Sequence, residues 1–119
     1  MSKITGIGGI FFRANDPAKL KQWYIDVLGI HISDHVWQQE AGPTAFEPFP
    51  AGTDHFPSNK QWMLNLRVSD LENLITELRD KGVAVETREE WNAMPEIGKF
   101  ARVQDPEGNP IELWEPATA

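Results

Sequence analysis

The chain has no cysteine among its 119 residues. That removes disulfides, thiolate metal sites and cysteine nucleophiles, and it fits a reducing compartment. No apolar run approaches the roughly 20 residues that a membrane-spanning helix needs, so no membrane partner is expected. The first residues, MSKITGIGG, lack a signal-peptide pattern, and a cytoplasmic location is expected. Basic charge is scarce: 11 Lys and Arg face 18 Asp and Glu, a net charge of −7. Nucleic-acid binding rests on neutralising phosphates, so none is expected. An acidic balance tolerates a cationic ligand, although most acidic surfaces serve solubility. There is no Ser-His-Asp set, P-loop or dinucleotide fingerprint. The GIGG at 6–9 lies inside a strand pattern, without the helix start that a phosphate loop requires.

What is present is a near repetition. Residues 10–30 read IFFRANDPAKLKQWYIDVLGI, and residues 64–83 read LNLRVSDLENLITELRDKGV. Arg13 matches Arg67, Asp16 matches Asp70, Leu20 matches Leu74 and Asp26 matches Asp80, all 54 residues apart; Gly29 and Gly82 are 53 apart. Two copies of so long a unit are a duplication rather than a solenoid. The length suits one domain with a real core. We expect a single domain over 1–119, with module one at about 4–50 and module two at about 60–116. A cavity between related halves is the natural place for function. Five Trp are many for this size. Trp joins a large apolar face to a donor that wants a partner, which suits pockets and interfaces.

Each copy reads as strand, helix and further strands. Apolar runs predict strands at residues 4–14, 31–39, 44–49, 61–68, 83–88, 99–104 and 109–115. Asp16-Pro17 is an N-cap with Pro at the first helical position. Leu20, Trp23, Tyr24, Val27 and Leu28 then recur with helical spacing. Ser69 with Glu72 predicts a capping box for the second helix, whose stripe is Leu71, Leu74, Ile75 and Leu78. Residues 48–60, rich in Pro, Gly, Asp and Ser, read as the loop between modules. Asp105-Pro106-Glu107-Gly108-Asn109 reads as a tight hairpin turn. Alternation assigns faces. Ile10, Phe12 and Ala14, like Leu64, Leu66 and Val68, should receive the helices. Gly9, Phe11 and Arg13, like Met63, Asn65 and Arg67, are mixed in polarity and should line a cavity.

The order β-α-β-β-β twice, with DPEGNPIEL over 105–113, resembles the vicinal oxygen chelate superfamily: glyoxalase I, bleomycin-resistance proteins, fosfomycin-resistance transferases and extradiol dioxygenases. The likeness covers essentially the whole chain. It implies an α+β fold in which two modules form a curved mixed sheet. It also implies a homodimer, with at least one of Trp23, Trp37, Trp62, Trp91 and Trp114 buried at the contact. Metal-using members often place ligands on the first strand of each module and a Glu on the last strand. Those positions fall on Gly9, Met63 and Glu112. Glycine offers no ligand, and a thioether suits Zn, Mn, Ni or Mg poorly. A catalytic ion typically takes about three protein ligands. No metal or other cofactor is therefore expected. His31 and His35, four apart on an expected strand, would stand about 13 Å apart. His55 lies in the inter-module loop, and surface or half-buried placement is expected for all three.

The expected pocket is Phe11, Arg13, Met63, Asn65, Arg67, Glu112 and Trp114, apolar walls with a few polar handles; Trp37, Phe46 and Trp62 are candidates to join it. Glu112 is also a candidate general base. An Arg there presents a planar fork suited to a carboxylate. If Glu112 does not neutralise both arginines, an anionic or carbonyl-bearing ligand is favoured over a cation. Alternatively, Arg13 or Arg67 pairs with Glu112 in a structural network. Three functions remain: a metal-free small-molecule binder, which the departed ligand set favours; a lyase, isomerase, transferase or dioxygenase with a divergent site; and a protein with a vestigial cavity.

Overall fold

The computed structural model describes residues 2–117; the ends of the expected domain, Met1, Thr118 and Ala119, lie outside them. Helix α1 spans Pro17–Asp26, strand β1 Ile32–Ser33, β2 Val36–Trp37, β3 Leu64–Arg67, helix α2 Leu71–Asp80, β4 Gly98–Gln104 and β5 Pro110–Pro116. A short 3-10 turn covers Glu89–Asn92. β1 and β2 form a small antiparallel hairpin. β3, β5 and β4 form a mixed sheet in that order, β3 parallel and β4 antiparallel to the central β5. The expected α+β class is what the chain adopts.

Period-two alternation builds the core. Leu66, Ala101, Val103, Ile111 and Leu113 turn to the helices and bury with Leu20 and Tyr24 of α1 and Leu71 and Leu78 of α2. Leu64, Val68, Leu74 and Ile75 pack around them. The expected facing of residues 64–68 is therefore correct. Ile10 and Phe12 are instead half-exposed, although Phe12 meets Tyr24 edge-on with centroids 6.2 Å apart.

Several strands differ from expectation. Among the described residues, 4–14 make no backbone ladder. The run 31–39 folds into a hairpin because Asp34 and His35 both take positive φ (50° and 66°). Asp tolerates that conformation by hydrogen-bonding locally, and no glycine marks the turn. The 13 Å separation of His31 and His35 assumed one straight strand and no longer applies. Residues 44–49 form no strand. Residues 83–88 keep a single bridge, Glu86 to Arg102. The second helix is capped by Asp70 rather than Ser69: the Asp70 carboxylate, at φ 53°, accepts from Asn73 N at 3.4 Å.

The turn after β4 is held by one buried carboxylate. Asp105, 4% exposed, accepts from Glu107 N (2.9 Å), Asn109 N (3.0 Å), Asn109 Nδ2 (2.8 Å) and Tyr24 Oη (2.7 Å). Gly108 supplies the positive φ of 83° that the turn requires. Glu107 then accepts from Asn15 N and Asp16 N at the start of α1. Glu115 of β5 accepts from Leu71 N at the start of α2. Both helix starts are thus met by a carboxylate from the hairpin, which the helix dipole favours.

Asp105→Ala leaves a buried hydroxyl and several backbone donors without their acceptor. Loss of about 3 kcal/mol in urea unfolding is expected. Burial, with the hydrogen bond to Asp105 and its charge, raises the Tyr24 phenol pKa above its ordinary value. The unfolded chain, with its phenol near pKa 10, releases a proton that the folded chain holds. This contribution to stability is present below about pH 10 and falls as pH rises above it. Tyr24 is the sole tyrosine, so tyrosinate absorbance on alkaline titration should appear together with unfolding. A free titration of Tyr24 in folded protein would refute this.

Candidate functional site

The sheet face away from the helices carries two rows of side chains. The ladder sets Asn65 of β3, Glu112 of β5 and Arg102 of β4 in one row, and Arg67, Trp114 and Phe100 in the next. Alternation along the strands puts both rows on the same face. The expected members Asn65, Arg67, Glu112 and Trp114 therefore come together.

Glu112 is 8% exposed. Its Oε1 accepts from Asn65 Nδ2 at 2.7 Å, and its Oε2 lies 3.1 Å from His55 Nε2. His55 reaches in from the inter-module loop. Its backbone N donates to Thr53 Oγ1 (3.2 Å). Its ring stacks on Phe49 at 5.1 Å, and Phe49 meets Phe56 edge-on at 5.7 Å. His55 is half-buried in the loop, as expected, and has in addition a carboxylate partner. The aromatic neighbours in a loop otherwise rich in turn formers were the sequence signal. With a proton on Nε2, this contact is a hydrogen bond from the ring to the carboxylate.

Arg67 does not reach Glu112. Its Nη1 donates to Pro43 O (2.6 Å) and its Nη2 to Glu40 O (2.7 Å). The guanidinium lies so close over Gly42 that a Cβ there would stand 2.8 Å from Cζ. Arg67 therefore clamps the loop at 40–43 to β3. Trp114 donates Nε1 to Ile97 O at 2.9 Å, and its ring lies parallel to Phe100 (6.4 Å, 10°). Met63 is half-buried just before β3. Phe11, 99% exposed, and Arg13, also exposed, lie on the N-terminal segment. Among the described residues no hydrogen bond or ring contact joins them to the row. Trp37, Phe46 and Trp62 are exposed.

Arg102 joins the row from β4, beyond the residues expected there. Counting outward from the Asp105 turn pairs Gln104 with Pro110, Val103 with Ile111 and Arg102 with Glu112, so its place was legible in the hairpin. Its guanidinium sits over Trp91, 5.2 Å from the ring centroid.

A divalent ion of the kind used by metal-dependent relatives is not suited by this donor set. Gly9 has no side chain, and Met63 offers only a thioether. Glu112 and His55 make two donors, short of the usual three. No group of three His, Cys, Asp or Glu able to hold an ion occurs among the described residues. A concavity of about 470 Å³ lies elsewhere, between Asn15, Asp16, Lys19, Leu20, Pro106 and Glu107. Its backbone donors at Asn15 and Asp16 are already taken by Glu107.

A mixed sheet with two helices on one face and a polar-aromatic opposite face is the glyoxalase and bleomycin-resistance architecture. The glyoxalase-like domain model matches residues 9–114, and the chain belongs to that family, within the vicinal oxygen chelate superfamily. It is similar in fold to TnmS3, an antibiotic-binding protein from Streptomyces sp. CB03234. That likeness has 24% identity and a TM-score of 0.62 over 98% of this chain and 99% of the other. A glyoxalase/bleomycin resistance protein from the same organism shares 24% identity, with a TM-score of 0.52 over 85% and 92%. An integron cassette protein from the mobile metagenome of V. cholerae shares 17%, with a TM-score of 0.51 over 95% and 96%. No curated protein matches the chain.

Arg67→Met should release the 40–43 loop and lower stability by about 1–3 kcal/mol. Gly42→Ala, which keeps the charge but fills the space under the guanidinium, should do the same. Limited proteolysis after Glu40, faster in both variants than in the parent, checks the clamp. Unchanged cleavage in both would remove it.

Proposed function

We propose that this chain is a small-molecule-binding protein of the glyoxalase/bleomycin-resistance type, working without a divalent metal. One observation carries the reading: the sheet face opposite the helices brings Asn65, Glu112, Arg67 and Trp114 together, with only two metal-capable donors beside them. Aromatic surface from Phe100, Phe49 and Trp114 around a few fixed polar groups is the chemistry of a small-molecule site. The antibiotic-binding character of TnmS3, a structural neighbour, supports the same class. Neither nucleic acid nor membrane is a partner in this reading, in keeping with the net charge of −7; among the described residues no helix is long and apolar enough to cross a membrane. A cytoplasmic location accompanies it.

The protein acts as a homodimer. Residues 4–14 carry exposed Ile4, Ile7, Ile10, Phe11 and Phe12 and no backbone ladder among the described residues. Among the described residues β3 pairs only with β5, so one edge is open, the condition that invites an added strand. A second copy that lays its 4–14 segment along β3 covers both. By the internal repeat, Phe11 and Arg13 then stand beside Asn65 and Arg67 and complete the expected pocket. Sedimentation at micromolar concentration should give a dimer, and Phe11→Asp with Ile10→Asp should give a monomer. A parent protein that sediments as a monomer refutes the assembly.

A second reading has one specific support. His55, oriented by buried Glu112 at 3.1 Å, has the base-and-orienter geometry of a general base, and the protein is then an enzyme with a divergent site. The two readings separate by experiment. A panel of small carboxylates and cationic drugs, read by Trp fluorescence and thermal shift, should yield a ligand. A ligand at about 100 times its Kd stabilises by about 2.7 kcal/mol. Added Ni, Zn or Mn should give no such shift. A metal-induced shift abolished by Glu112→Gln overturns the metal-free reading. Ligand turnover that is lost in His55→Ala favours the enzyme.

A further inference from the structure

We propose that Arg102 is the docking point for a carboxylate on the ligand, with Trp91 as the aromatic cover that moves aside to admit it. The inference rests on the small-molecule reading and names the ligand class: a planar aromatic acid.

Arg102 points onto the site face for a reason of ladder geometry. Its backbone N donates to Glu86 O (2.9 Å) and its O accepts from Glu86 N (2.8 Å). Both backbone groups therefore face away from β5. Arg102 and Glu112 are then a non-hydrogen-bonded antiparallel pair, the kind in which side chains stand closest. Yet Glu112 makes no ion pair with Arg102 among the described residues, because its two oxygens are met by Asn65 and His55.

The guanidinium is left with a specific deficit. Nε and Nη2 of Arg102 are buried and have no hydrogen-bond partner among the described residues. These two N–H groups form one edge of the planar fork, and that edge matches the two oxygens of a carboxylate. Buried donors ordinarily have partners, and an unpaired charge off water is costly. The neighbouring arginine supplies the contrast. Arg88 lies over the same Trp91 ring at 5.1 Å and is neutralised by Glu86 at 2.7 and 2.8 Å. Of the two guanidinium groups on Trp91, only Arg102 lacks an anion.

Trp91 sits in the 3-10 turn Glu89–Asn92, which is tied to β4 by Phe100 N donating to Asn92 Oδ1 (2.9 Å). A cation on an aromatic face is a weaker partner than a bidentate carboxylate. An arriving acid therefore displaces the indole from the guanidinium. The parallel Phe100 and Trp114 rings in the adjoining row offer flat surface to the aromatic part of the ligand.

The test uses 2-naphthoate, its neutral amide and 2-naphthylmethylammonium as probes in titration calorimetry. The parent should bind naphthoate at least about ten-fold more tightly than the amide, as a charged hydrogen-bonded pair implies. Arg102→Met should erase that preference, and Arg102→Lys, which keeps charge without the fork, should retain only part of it. Trp91→Ala should speed naphthoate association. Arg79→Met on α2 serves as a charge control and should keep the preference. Should Arg102→Met fail to fold, the Nε–H NMR signal of Arg102 in the parent, assigned by its absence in Arg102→Lys, must move on adding naphthoate. Equal binding of acid and amide, retention of the preference in Arg102→Met, or an unmoved Nε–H signal overturns the proposal. Binding of the ammonium probe alone overturns it too, while leaving the small-molecule reading intact.

Discussion

The buried carboxylate of Asp105 is the constraint from which the rest follows. It takes hydrogen bonds from the turn backbone, from Asn109 and from the Tyr24 hydroxyl of α1. By closing the turn between β4 and β5, it fixes which residues face one another along both strands. A slip of one residue would exchange every inward side chain for an outward one. With the register as set, Ala101, Val103, Ile111 and Leu113 enter the core, and Phe100, Arg102, Glu112 and Trp114 reach the opposite face. The same aspartate therefore fixes the helix packing and the composition of the candidate site.

The hairpin also organises the helices. Glu107 meets the amides of Asn15 and Asp16 just before α1, and Glu115 meets the first amide of α2. These acceptors satisfy donors that helix starts leave open. The chain uses its acidic surplus here for architecture, while Glu112 keeps its two oxygens for Asn65 and His55. Arg67, the clamp on the 40–43 loop, frames the site rather than occupying its centre. Arg102, in the row with Glu112, keeps two buried N–H groups without a partner among the described residues.

Much of this was legible in the sequence where a local rule governed. The two helices, their glycine stops, the Asp105 turn and the facing of Leu64, Leu66 and Val68 all follow from periodicity and turn chemistry. Residues 4–14 have the composition of a strand, but a strand needs a neighbour, and composition does not say which chain supplies it. The Asp34-His35 turn carries no glycine, so the run 31–39 read as one strand. Asp70 took the cap expected of Ser69, a shift of one residue decided by the αL backbone at that position. In the site, Asn65, Glu112 and Trp114 were legible from alternation. His55 had only the aromatic residues of its loop as a signal, because stacking on Phe49 sets its direction there. Arg102 was legible only by counting across the hairpin from its turn.

Where a small molecule binds on this chain decides its function. Amide chemical-shift mapping, with a library of small aromatic acids and cations, answers that directly. Binding should shift amides of the site-facing residues on β3, β4 and β5 together with those of His55 and Trp91. Shifts confined to the concavity at Asn15, Lys19 and Glu107, or no shift with any member of the library, would contradict it.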